Sequence, residues 1–342
     1  MIQEALQQLV SGASLSKEEA ASVAEEIMTG EATPAQIGAF LMALRMKNET
    51  VGEITGMAKV MRTKALRVLT DGEVVDVVGT GGDGMGTFNI STAAALVTAA
   101  AGAKVAKHGN RAASGTFGAA DILEANGVKL ELSPESVKRC IDEVGIGFMF
   151  APAFHPAMKF AGPVRRELGV RTVFNILGPL TNPAGASYQV VGVGVPSDAG
   201  QPLGEMMAHV LSELGTKHSW VVRGDDGLDE ITTTTTTQVW EVTPGRVRNF
   251  TVEPEDAGLG RVALKDIQTT GSAGFAAMFL DAMSEKECAA KDIVMLNAAA
   301  GLVVCGMAAD LRAGVGLARE AISSGSALDK LHKLAALSQE LS

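Results

Sequence analysis

A β-branched run, Val74-Val75-Asp76-Val77-Val78, leads directly into Gly79-Thr80-Gly81-Gly82-Asp83-Gly84. Glycines at that density let backbone N–H groups close on an oxyanion, and a helix opening just beyond them adds its positive dipole end. Asn89, Ser91 and Thr92 place side-chain donors at the start of that helix. Lys107 comes from the carboxyl end of the next strand candidate, where open α/β sheets hold their ligands. Together with His108 and Arg111 these residues make a site for one or more phosphates. Positions 79, 81 and 84 also satisfy the dinucleotide pattern G-x-G-x-x-G, but that pattern needs an acidic residue at the end of the next strand for the ribose hydroxyls. Here the strand ends in Lys107-His108-Gly109-Asn110-Arg111, which argues against a dinucleotide. Farther on, Asp229-Glu230 stands beside Asp225-Asp226. Adjacent carboxylates are hard ligands for a divalent cation, and equally the composition of an acidic surface turn.

These residues need a scaffold, and the pattern of the chain predicts one. Up to about Arg67 it reads as helices only, with capping boxes at Ser16–Glu19, Thr33–Gln36 and Thr50–Glu53. After the second box, Ile37, Phe40, Leu41 and Leu44 mark one helical face. From Val74, strand and helix candidates alternate. Val105–Lys107, Val128–Leu132, Tyr188–Val195 and Ser219–Val222 read as extended, and helices are expected over 92–102, 121–126, 133–144 and up to Leu214. Trp240–Val242 and Arg246–Arg248, joined by Thr243-Pro244-Gly245, predict a hairpin at a sheet edge, and the rest from Gly274 to Leu341 is mostly helical. The fold class expected is α/β: a small all-helical N-terminal domain over 1–67, joined in space by part of 155–178, and a larger α/β domain over 74–342 with a mostly parallel central sheet. The Thr232–Thr237 run is expected to be an exposed strand or loop without chemistry.

Composition narrows the function. The 342 residues carry 29 Lys and Arg against 39 Asp and Glu, a net charge of −10. That field repels polyanions, so sequence-independent nucleic-acid binding is disfavoured, while local donors can still hold a small anion. Cys140, Cys288 and Cys305 are odd in number and widely spaced, consistent with free thiols in a reducing compartment. The N-terminus lacks the pattern of a signal peptide. The apolar stretch Ile293–Ala309 carries Asn297 and reads as a buried helix, so a cytoplasmic, membrane-free chain is expected.

Several segments in order, Gly79–Asp83, Thr87–Thr92, Lys107–Arg111, His155-Pro156-Ala157, Arg165, Arg171–Pro183 and Gly227–Glu230, resemble the anthranilate phosphoribosyltransferases of tryptophan biosynthesis over nearly the whole chain. The resemblance implies a helical domain and an α/β domain of the kind shared with pyrimidine nucleoside phosphorylases, and a homodimer formed through the helical domain. It implies transfer of phosphoribose from phosphoribosyl pyrophosphate (PRPP) to the anthranilate amine, with release of pyrophosphate and use of Mg2+. It also implies the site. Gly79, Gly82, Asp83, Thr87, Asn89, Ile90, Ser91, Thr92, Lys107, Ser114, Gly115 and Ala119 are the PRPP positions. Gly79, His108, Asn110, Arg165 and Gly178 are the anthranilate positions, and Ser91, Asp229 and Glu230 the metal positions. No obligatory acid or base is expected, because an aromatic amine is already neutral at pH 7. His155 precedes a proline and is read as a helix cap. Phe117 and Ala119 stand where many relatives have serines, which removes two hydroxyl donors. Nucleoside phosphorolysis on the same fold, and a non-catalytic nucleic-acid-binding relative, are the competing functions. The His108–Arg111 loop with Arg165, which favours a carboxylated aromatic acceptor, counts against the first, and the net charge with the retained acid pair against the second.

Overall fold

The computed structural model describes residues 1–112, 117–194 and 200–342, with the side chains of 200–202 excepted. Helices α1 (Ile2–Val10), α2 (Lys17–Thr29), α3 (Pro34–Lys47) and α4 (Val51–Lys64) come first. Each of the three capping boxes closes reciprocally, so local spacing alone sets where α2, α3 and α4 begin. Glu53 also reaches beyond its own helix. It is fully buried, and accepts from the Leu15 N–H at 2.9 Å and from Lys47 Nζ at 3.0 Å, which ties the bundle together.

The remaining elements alternate: β1 (Val75–Gly79), α5 (Ile90–Ala100), β2 (Val105–Gly109), α6 (Ala119–Ala125), α7 (Pro134–Val144), β3 (Ile146–Phe150), α8 (Ala151–Phe154), α9 (Ala161–Leu168), α10 (Phe174–Leu180), β4 (Tyr188–Gly192), α11 (Gly200–Glu213), β5 (His218–Gly224), β6 (Thr237–Thr243) and β7 (Arg246–Val252). Four helices close the chain: α12 (Gly271–Asp281), α13 (Ala289–Val304), α14 (Leu311–Ser323) and α15 (Ser326–Glu340). Among the described residues, seven strands form one sheet in the order β3-β2-β1-β4-β5-β6-β7. The first five are parallel, and the β6–β7 hairpin adds an antiparallel edge. The expected fold class is therefore the observed one.

Two apolar cores sandwich the sheet. One packs α5, α13, α14 and α15 against β1, β2 and β3. The other joins α1–α4 to Ala161, Val164, Phe174 and Leu177 of α9 and α10, and to Val191, Val221 and Val242 on the opposite sheet face. The strand order reverses beside β1, between β2 and β4, so the crevice beyond the carboxyl end of β1 is where such a sheet holds a ligand.

Two expectations need correction, and one strand lies outside them. Val128–Leu132 joins no strand: Leu130 and Leu132 are buried, while the Lys129 N–H donates to Ser338 Oγ instead of a neighbouring strand. The strand Ile146–Phe150 escapes the sequence pattern, because an apolar run following a helix shows no alternation to separate it. The threonine run is not exposed. Thr232, Thr233 and Thr237 are buried, and Thr237 opens β6. Among the described residues, no helix is long and apolar enough to cross a membrane.

Candidate active site

The site lies at the carboxyl ends of β1, β2 and β4 and the start of α5. Gly79 and Gly192 are neighbours across β1 and β4. Asp229 presses on both: a Cβ built on Gly192 would stand 1.6 Å from the Asp229 carbonyl oxygen, and one on Gly79 2.3 Å from Asp229 Oδ2. Only glycine admits that approach. Asp229 Oδ2 then accepts the Gly81 N–H at 2.8 Å, and Glu230 Oε1 accepts the Ser91 N–H at 3.0 Å at the N-terminus of α5. The acid pair is thus a site element and not a surface turn. It also occupies two of the N–H donors expected to meet phosphate, so a phosphate taking them must displace carboxylate oxygens. Gly82 and Gly84 adopt left-handed backbone, which this loop requires.

Arg171 enters the sequence reading only within a longer motif, and its role is set in three dimensions. Its Nη1 donates to the carbonyls of Gly81 and Gly82 at 3.0 and 3.2 Å. In a trans peptide the next N–H points the opposite way, so the guanidinium orients the N–H groups of Gly82 and Asp83 away from itself. Asp83 accepts from the Met85 N–H, and Thr87 bridges to Gln268. Ile90 and Thr92 are 1% exposed at the start of α5, and the buried Thr92 hydroxyl has no partner within the chain. Asn89 Nδ2 donates to the Phe117 carbonyl at 2.6 Å rather than capping its helix. Ala119 begins α6, while Ser114 and Gly115 lie outside the described residues. Arg111 is drawn off to Asp121 and Glu124, which removes it from the phosphate site.

Lys107 is buried, its Nζ donating to the Val77 carbonyl at 2.7 Å. Asp76 and Glu230 flank it and favour its charge, against a burial that lowers its pKa. Burial likewise pushes the Asp76 carboxyl up to about 6, opposed by Lys107 and by Asn182, whose Nδ2 donates to it at 2.7 Å. Asp229 and Glu230 are both raised, first by burial, then by repulsion from Asp83 and from Asp229 respectively. Two buried carboxylates that resist ionisation are a donor set short of a cation. With the Ser91 hydroxyl they offer oxygen only, and among the described residues no three His, Cys, Asp or Glu side chains are placed to hold a metal ion together. That suits Mg2+, which takes few carboxylates and completes its shell with water and substrate phosphate.

A second group of residues lies next to the first. His108 Nδ1 meets the Gly178 carbonyl at 3.2 Å, so Nδ1 carries the proton and the buried Nε2 presents a lone pair with no partner. His155 stands at the N-cap position of the 3-10 turn Pro156–Lys159, but its side chain makes no capping bond. Its ring lies 5.0 Å from that of His108. Burial lowers both, His108 to about 3 and His155 to about 4, with the proximity of His155 adding to the shift of His108. Arg165 lies over the Phe174 ring at 5.4 Å with its Nε buried and unpaired, whereas Arg166 is exposed. Asn110 is exposed and holds the Arg111 N–H.

The histidine pair yields a stability prediction. In the unfolded chain His155 titrates near 6.5. Its folded pKa is lower, so the folded chain stays neutral while the unfolded chain takes up the proton, and stability is lost as pH falls from about 6.5 towards 4. Relative to His155→Phe, the wild type should lose ~1.4 kcal/mol per pH unit across that window. Denaturant unfolding of both proteins between pH 7 and 4.5 measures it, and parallel curves would refute it.

A helical bundle set against a parallel sheet, with glycine, lysine and acid groups meeting at the switch point, is the architecture of an α/β protein that holds a phosphorylated ligand. Residues 71–328 match the "Glycosyl transferase family, a/b domain" and residues 3–65 the "Glycosyl transferase family, helical bundle domain". The chain is 54% identical over 341 residues to an anthranilate phosphoribosyltransferase of Chloroflexus aurantiacus, covering 99% of each. It superimposes with a TM-score of 0.90 on the crystal structure of that enzyme from Thermus thermophilus, at 43% identity, covering 98% of this chain and 99% of that one. The Saccharomyces cerevisiae enzyme in complex with PRPP and Mg gives 0.90 at 26% identity, covering 99% and 98%. The chain belongs to the anthranilate phosphoribosyltransferase family.

Proposed function

We propose that the chain transfers the 5-phosphoribosyl group of PRPP to the amine of anthranilate, giving N-(5-phosphoribosyl)anthranilate and pyrophosphate, within tryptophan biosynthesis. The observation that carries this is the meeting of Asp229 and Glu230 with the Gly79–Gly84 loop, the start of α5 and buried Lys107 at the carboxyl end of the sheet. Departure of pyrophosphate from the anomeric carbon leaves positive charge on the sugar and negative charge on the leaving group. The loop N–H groups of Gly82 and Asp83, the α5 N-terminus from Asn89 to Thr92, and Lys107 stabilise the negative end. Ser91, Asp229 and Glu230 would hold Mg2+, which supplies Lewis-acid stabilisation of phosphate oxygens when bound.

The acceptor binds beside them. Arg165, pre-stacked on Phe174 with an unpaired Nε, takes the anthranilate carboxylate. Gly178, with no heavy atom within 4 Å of a built Cβ, leaves room for the ring. The Nε2 lone pair of His108 faces the amine as a hydrogen-bond acceptor. Its depressed pKa suits that role and not that of a proton donor. Chemistry then rests on positioning a neutral amine, and no obligatory base is needed. The helical domain over 1–67 associates with a second copy, and the enzyme is cytoplasmic.

Loss of anthranilate fluorescence that depends on both PRPP and Mg2+ and stops with chelator tests the function. Consumption of a pyrimidine nucleoside with phosphate instead would overturn it. Arg165→Ala should raise the anthranilate KM ~10- to 100-fold, the loss of a charge-assisted pair, and leave the PRPP KM within about twofold. Steady-state kinetics with each substrate varied decide it, an unchanged anthranilate KM counting against the assignment.

A further inference from the structure

The acid pair must be held by its backbone, and the side chain that holds it comes from the opposite core. Asn297 sits mid-way along α13 among the buried residues Ile293, Val294, Met295, Leu296 and Ala298. It is itself fully buried. Its Oδ1 accepts the Ile231 N–H at 2.9 Å, and its Nδ2 donates to the Ile231 and Ile293 carbonyls, both at 2.9 Å. The amide cannot be turned over, since that would set NH2 against N–H and oxygen against two carbonyls. Ile231 directly follows Glu230. Both backbone polar groups of the residue after the acid pair are therefore engaged by one side chain, as in a step of an antiparallel ladder.

The other flank is fixed independently. Asp226 accepts the Leu228 N–H at 3.1 Å with Oδ1, and the Thr232 hydroxyl at 2.7 Å and the Thr234 hydroxyl with Oδ2. Between these anchors Asp229 rests on Gly79 and Gly192 with no slack. An amide in the middle of an apolar helix is unfavourable unless every polar atom is satisfied. Here all of its bonds but the local one to Ile293 go to the acid loop.

We propose that Asn297 is a positioning residue for the reaction: by holding the Ile231 backbone it sets where Asp229 and Glu230 present their oxygens, and so sets affinity for the divalent cation that accompanies PRPP. This rests on the assignment of the acid pair to the metal. Supporting groups of this kind typically govern metal affinity by about 10- to 100-fold.

The test uses the full chain, with Mn2+ as probe in the presence of pyrophosphate, and bound metal read by electron paramagnetic resonance. Mg2+ dependence of turnover is measured alongside. Asn297→Ala should weaken Mn2+ binding ~10- to 100-fold and raise the half-saturating Mg2+ by a similar factor, with the anthranilate KM unchanged. Asn297→Ser, which puts one shorter hydroxyl in place of the amide, should fall between, and decides the matter if the alanine variant does not fold. Val294→Ala, a packing loss on the same helix, should lower thermal stability yet bind Mn2+ as the wild type does. Asn297 variants that match the wild type in both readouts, or a Val294→Ala protein equally weak for Mn2+, would overturn the proposal. A wild type that takes up no Mn2+ with pyrophosphate overturns the metal assignment itself and the proposal with it.

Discussion

Replacing Asp229 by Asn and Glu230 by Gln together should reduce turnover by ~10^3-fold or more, in line with the loss of preorganised charge at a reacting phosphate, while the melting temperature of the metal-free protein rises. The two effects have one cause. Both carboxyls are raised by burial, and Asp83 repels Asp229 as Asp229 repels Glu230. Without a cation the folded chain bears the desolvation of these charges, opposed only in part by Lys107 and by the N–H groups of Gly81 and Ser91. Asn and Gln keep the acceptor oxygens and the shape but remove the charge, so the fold gains what the chemistry loses. Kinetics with PRPP and anthranilate, together with thermal melts in chelator, measure both sides. Turnover within about tenfold of wild type would remove the acid pair from the mechanism; by the same reference a single lost donor already costs ~100-fold. An unchanged or lower melting temperature would show that some other group already compensates the charges.

How far such a site can be read from the chain depends on the range of the interactions that build it. The three capping boxes are complete within four residues, so the starts of α2, α3 and α4 are visible in the sequence. The Gly79–Gly84 loop and the Lys107–Arg111 segment are contiguous, and each sits at a strand end that β-branched residues announce. Arg171 and Asn297 act across 90 and 66 residues, on backbone atoms whose place the sequence does not mark. Arg111 misleads for the complementary reason: a cation beside a phosphate loop is counted towards it until Asp121 and Glu124 are seen to hold it. The threonine run looks solvated by composition, yet Thr232 is buried with its hydroxyl donating to Asp226, which also accepts the hydroxyl of half-buried Thr234. Hydropathy alternation misplaces Val128–Leu132 because burying alternate residues against helices produces the same pattern as a sheet does.

Gly192 carries no signal at all in the sequence, and the second large effect falls on it. Gly192→Ala should lower kcat/KM for PRPP about 100-fold or more, the penalty for shifting reacting groups by ~1 Å. The added Cβ would stand 1.6 Å from the Asp229 carbonyl oxygen and 2.4 Å from its carbon, so the obstruction is backbone and no rotamer relieves it. Gly192 itself cannot retreat. It is paired on both sides, with Gly79 on β1 and Val222 on β5, and its carbonyl accepts the Thr80 N–H at 2.9 Å. The acid loop must therefore move, and with it the two carboxylates that face the glycine loop. Gly79→Ala acts on the carboxylate itself: its Cβ would stand 2.3 Å from Asp229 Oδ2, so that oxygen must leave the loop and turnover should fall as well. Gly316→Ala on α14, where a Cβ meets nothing within 4 Å, should leave turnover unchanged and stabilise the helix by ~0.4–1 kcal/mol. Near-normal kinetics for Gly192→Ala, in protein whose circular dichroism matches wild type, would mean that the position of Asp229 is not what the reaction depends on.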